Sequence, residues 1–155
     1  MTDRAAFAIN DVTARTDAIV SAPQSVLSHD ADALADELLE AGESVLETWL
    51  TAHGQVPTRS TVEGFRLLAL HRQGARGDPS FNACRETCRE IVYHRNLIRV
   101  ETGAEERARL VRLAAMVVRH LALFVGGKLE TAGLGEFCCS SRPLRQSEFS
   151  ETRIV

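Results

Sequence analysis

Several things are scarce in this sequence, and each scarcity excludes something. Lysine occurs once, at Lys128, against seventeen arginines. That skew fits GC-rich coding, as in many bacteria, better than selection for bidentate anion contacts. Tryptophan and tyrosine also occur once each, at Trp49 and Tyr93, and aromatics make up only 5% of the chain. The stacking surfaces that accompany basic patches in single-strand nucleic-acid binders are therefore nearly missing. Four cysteines are too few to staple a chain of 155 residues, which is long enough to bury a core of its own. The longest apolar run, 113–125, is broken by Arg119 and His120 and is shorter than the roughly 20 residues of a membrane span. The first residues lack the apolar stretch of a signal peptide. Together these features lead us to expect a soluble cytosolic protein with reduced thiols.

Motifs of established chemistry are missing too. There is no Gly-x-Gly-x-x-Gly, Gly-x-Ser-x-Gly or His-Glu-x-x-His, and none of the paired Glu-x-x-His motifs of di-iron bundles. Gly126-Gly127-Lys128-Leu129 only imitates the end of a phosphate-binding loop, lacking the hydroxyl residue and the upstream glycine. No strand pattern and no internal repeat is visible.

What is present reads as helix. Leu34, Leu38, Ala41, Val45 and Trp49 recur at the period of one helix face, after a cap at Asp30 or Asp32 and before Gly54. The expected helices lie at about 31–53, 61–74, 79–100 and 103–126. Ser60 with Glu63 and Thr102 with Glu105 match capping boxes, while Asp78-Pro79 reads as an N-cap followed by proline at the first helical position. Gly64 is expected on a helix face, Glu105 pairs with Arg109 at i, i+4, and Gly126-Gly127 is expected to stop the last helix. The fold is thus expected to be all-α, a helical bundle of four or five helices with flexible tails. Its divisions are an N-terminal segment 1–29 holding at most one loosely packed helix (about 4–20), a core 30–127 and a C-terminal tail 128–155. The last long helix is apolar on nearly every side, which suggests either a central position or a second copy of the chain.

Charge is distributed unevenly. Residues 1–55 carry ten acidic and two basic side chains, and residues 56–121 carry seven acidic and twelve basic. Mutual neutralisation within the fold is the first reading of that asymmetry, and a basic surface for an acidic partner or nucleic acid is the second.

The chemically suggestive stretch is 79–98. Phe81, Cys84, Cys88, Ile91, Arg95 and Ile98 recur along one face, so two thiols four residues apart lie in an otherwise apolar stripe, with Arg85, Glu86, Arg89 and Glu90 on other faces. The spacing suits joint contact with a metal better than a disulfide inside a regular helix. Buried packing is the default for such cysteines. The alternative is a protein that binds a metal, haem or iron–sulfur cluster, or senses redox state, through Cys84 and Cys88 with His71 or His94. A four-thiol site would have to recruit Cys138 and Cys139. Arg85, Arg89, Arg95 and Arg99 are the candidate interaction surface, and with Arg107 and Arg112 they would carry any nucleic-acid binding. The sequence therefore points to a non-enzymatic regulatory or accessory protein that acts through a helical surface, with a homodimer or another protein as partner, no catalytic residue and no cofactor as the first expectation.

Overall fold

The computed structural model describes the backbone of residues 2–133 and the side chains of residues 8–133. Six α-helices follow one another: α1 (Thr2–Val20), α2 (Gln24–His29), α3 (Ala31–Ala52), α4 (Arg66–Gly77), α5 (Arg85–Val100) and α6 (Ala104–Thr131), with a 3₁₀ segment, Pro79–Cys84, leading into α5. Among the described residues there is no strand, only an isolated bridge between Val62 and Phe65. The expected all-α bundle is what forms.

Helix α6 is the axis. Val111, Ala115, Val118, Leu121, Ala122 and Val125 are fully buried, and α1, α2, α3 and α5 all pack on it. Much of its apolar circumference, which by itself suggested a second copy, is covered within one chain, while Met116 stays 53% exposed. By length and composition α6 is also apolar enough to cross a bilayer, but 56% of its most apolar 18 residues are buried inside the protein, as in a core helix. The helix runs through Gly126 and Gly127 to Thr131, where the sequence suggested a stop. Each interior glycine costs a helix about 1 kcal/mol, and burial of Val125 and Leu129 on either side of the pair outweighs it.

Helix α1 places Ile9, Val12, Thr16 and Ile19 in the core. Its stripe was faint in the sequence because a threonine occupies one position; the Thr16 hydroxyl is satisfied by the carbonyl of Thr13 at 2.9 Å. The 61–74 helix begins later than its capping box implied. Val62 and Phe65 close a turn in which Glu63 has φ 54 and Gly64 φ 85, so Gly64 lies outside the helix and Ser60 and Glu63 do not cap it. Glu63 instead reaches Arg89 at 3.2 Å. Thr102 makes no cap either: Gly103 occupies the N-cap of α6, and Arg109 pairs with Glu106 at i, i+3 rather than with Glu105. Gly54 ends α3 with φ 76, as its sequence context suggested. Residues 134–155, with Cys138 and Cys139, lie outside the described residues.

The charge asymmetry resolves inside the fold. Acidic α3 offers Asp32 to Arg107, Asp36 to both Arg95 and Arg99, and Glu43 and Glu47 to Arg66. Arg15 and Asp17 of α1 pair with Glu37 and Arg119. Two arginines have structural tasks beyond ion pairing. Arg107 donates to the carbonyls of Ile98 and Glu101 at the end of α5, and Arg112 to those of Val20 and Ala22 after α1. Both fill acceptors that helix ends leave open.

Candidate functional site

The site starts from a turn. Asp78 caps the 3₁₀ segment by accepting from the Ser80 backbone N–H at 3.1 Å and the Ser80 hydroxyl at 2.7 Å, while Lys128 of α6 donates to the same hydroxyl at 2.7 Å. Pro79, with no N–H to satisfy, follows the cap. The tight 3₁₀ turn drives Phe81 into the core, where its ring stacks on Trp49 at 4.8 Å and lies 5.6 Å from His71. The Phe81 carbonyl then becomes a shared acceptor. His71 of α4 approaches it with Nε2 at 3.0 Å, and the Cys84 thiol donates to it at 3.3 Å.

Cys84 therefore does not lie within a regular helix. It ends the 3₁₀ segment and forms the N-cap of α5 with φ −102 and ψ 14, one turn before Cys88. Both thiols are free and buried, at 2% and 0% exposure. Their protons are held unequally. The Cys88 thiol above all, and then the His71 imidazole, hydrogen-bond to the Cys84 sulfur and bring its pKa down to about 6, against the opposing effect of burial. Cys88 moves the other way: its hydrogen bond to Cys84, burial and the Cys84 charge all push its thiol well up. Cys84 is thus the thiol that ionises first, giving up its hydrogen bond to the Phe81 carbonyl when it does, with a protonated thiol beside it.

In front of His71 opens a cavity of about 290 Å³, lined by Val62, Leu68, Arg72, Asn82, Arg85 and Arg89 among others. His71 is only 6% exposed and belongs both to this wall and to the thiol cluster.

The structure brings together Cys84, Cys88 and His71, and leaves His94 elsewhere. His94 is half-buried on another face of α5, with Nδ1 at 2.8 Å from the carbonyl of Glu90 and its ring edge-on to Tyr93. Among the described residues no group of three or more His, Cys, Asp or Glu side chains is arranged to hold a metal ion. Of the four arginines on α5, Arg95 and Arg99 fasten the helix to Asp36 of α3. Arg85 and Arg89 border the cavity, with Glu86 at 3.6 Å and Glu63 at 3.2 Å as their partners. Arg72 and Asn82 enter the site without a sequence signal, since their meeting depends on how α4 folds back on the 3₁₀ turn. No family, no curated protein and no solved structure matches this chain.

Proposed function

We propose that the chain is a small, non-enzymatic regulatory or accessory protein whose state is set by the Cys84–Cys88 dithiol. The observation that carries this reading is the pairing of a thiol lowered to about 6 at the N-cap of α5 with a raised, protonated thiol one turn on, both beside His71. A lowered, neighbour-assisted thiol is one mark of a reactive cysteine, and at 2% exposure Cys84 meets an oxidant only when the 3₁₀ turn opens locally.

The chemistry takes a hydroperoxide as oxidant. The Cys84 thiolate attacks the distal oxygen, the O–O bond breaks, and an alcohol leaves after taking up a proton, with Cys84 as sulfenic acid. The Cys88 thiol then attacks that sulfur, closing the disulfide and releasing water. Two thiols and one hydroperoxide give one disulfide, one alcohol and one water. Because Cys84 stands outside the regular helix, closing the bond strains the 3₁₀ turn before it strains α5. The turn carries Phe81, so oxidation is transmitted to the stack of Phe81 on Trp49 and to the setting of α5, whose outer face exposes Tyr93. In a reducing compartment such as the cytosol the dithiol is the resting form.

The test uses a Cys138→Ser, Cys139→Ser background treated with stoichiometric hydrogen peroxide, alkylated under denaturing conditions and weighed intact. The expected product has lost two hydrogens and takes no alkyl group until it is reduced. Full alkylation after peroxide treatment, or oxidation that Cys88→Ser leaves unchanged, sinks the reading.

A further inference from the structure

The cavity in front of His71 carries chemistry that the dithiol does not use. Its walls hold three arginines and one carboxylate, and Glu63 spends that carboxylate on Arg89 at 3.2 Å. Arg85 has only its neighbour Glu86 at 3.6 Å, and among the described residues Arg72 has no hydrogen bond or ion pair at all. Most of the described arginines are engaged, and of those that are not or only weakly so, Arg72 and Arg85 meet at this one cavity.

His71 adds a second, independent observation. The Phe81 carbonyl can only accept, so the Nε2 facing it at 3.0 Å carries a proton, and in the singly protonated ring Nδ1 is then a bare acceptor. Nδ1 has no partner among the described residues, although the side chain is 6% exposed and lines the cavity. A buried polar atom without a partner is costly. It is answered by a group that donates one hydrogen bond to it.

We propose that this cavity binds a small oxyanion that retains one hydroxyl, the chemistry of hydrogen phosphate. The hydroxyl donates to Nδ1 of His71, Arg72 and Arg85 hold the anionic oxygens, and the amide of Asn82 completes the polar wall opposite Val62, Leu68 and Ala75. This assignment shares His71 with the dithiol reading but needs neither oxidation nor either sulfur.

The experiment is calorimetric titration of the reduced full chain at neutral pH and constant ionic strength, with inorganic phosphate and, separately, with sulfate, which has no hydroxyl at that pH. Phosphate is expected to bind saturably at millimolar concentration or below and more tightly than sulfate. Arg72→Ala, at an exposed position that leaves the core intact, should weaken phosphate binding by about tenfold or more, and Arg76→Ala, one turn away outside the cavity, should leave it unchanged. Absence of saturable binding overturns the proposal. So does equal affinity for the two anions, or a phosphate affinity that Arg72→Ala and Arg85→Ala both leave untouched.

Discussion

Gly74 of α4 faces Phe81 so closely that a β-carbon on it would stand 2.8 Å from Cε2 of the ring and 2.9 Å from Cδ2. The ring has nowhere to go, being fully buried and stacked on Trp49. Gly74→Ala gains about 1 kcal/mol of helix propensity, but overpacking a rigid ring costs about 1–3 kcal/mol. It should therefore lower stability in urea unfolding and disturb the 3₁₀ turn. Gly42→Ala is the counter-case. There the nearest atoms, Leu67 Cδ1 at 3.3 Å and Ile91 Cδ1 at 3.4 Å, are side-chain tips that can shift, so the variant should be neutral or slightly stabilised. Gly74→Ala proving as stable as Gly42→Ala would show that the turn yields.

The contrast between these glycines shows where sequence reading stops. The stripes of α3 and α5, with Leu34, Leu38, Val45, Cys88 and Ile91 all buried, follow from period alone, because each residue's face is decided within its own helix. Which helix lies opposite is decided by packing, and that is why Gly74 against Phe81, and His71 beside Cys84, carry no local signal. The failed capping box at Ser60 and Glu63 has a similar cause. The motif is satisfied locally, yet Glu63 is drawn to Arg89, 26 residues away, and the chain turns at Gly64 instead. The arginines were legible as a charge excess but not in their tasks, since Arg107 acts as the cap of α5 only once α6 folds back on it.

Arg107→Ala should be among the most damaging changes of a charged residue. Its side chain is 17% exposed and donates at 3.0 Å to the Ile98 carbonyl and at 2.9 Å to that of Glu101, besides reaching Asp32 at 3.3 Å. Removing it leaves two acceptors at a helix end without their donor and costs about 1–3 kcal/mol. Arg109→Ala removes a largely solvent-facing pair with Glu106 and should shift the unfolding midpoint hardly at all. Equal effects of the two variants in denaturant titration would refute the structural task assigned to Arg107.

The lowered thiol makes stability depend on pH with a definite sign. With Cys84 at about 6 when folded and near 9 when unfolded, the folded chain binds fewer protons between those values. Its contribution is therefore fully present above about 9 and is lost as pH falls through about 6, so stability climbs across that window. Cys88 works oppositely above it: its raised thiol stays protonated in the fold while the unfolded chain ionises, and stability falls again. Urea midpoints should peak near the top of the window, and Cys84→Ala should flatten the rise. The alkylation rate of Cys84 should likewise titrate near 6, and move upward in Cys88→Ala, which removes its main hydrogen-bond donor. A midpoint already at the ordinary thiol value in the unaltered chain would remove the basis for reactivity.

Deleting residues 1–22 discriminates most sharply between a tail and a structural helix. The deletion uncovers the side of α6 now facing Ile9, Val12 and Ile19, takes from Arg112 the carbonyls of Val20 and Ala22, and takes from Arg119 its partner Asp17. Each buried aliphatic side chain contributes about 1.5–3 kcal/mol, so the loss is comparable to the whole stability of a domain of this size. The shortened chain should therefore aggregate or lose its cooperative thermal transition by circular dichroism. It should also self-associate in light scattering, because a long apolar helix stripped of one neighbour will cover itself with another copy. A truncated protein that stays monomeric and melts within a few degrees of the full chain would mean that α1 rests on the bundle without holding it together.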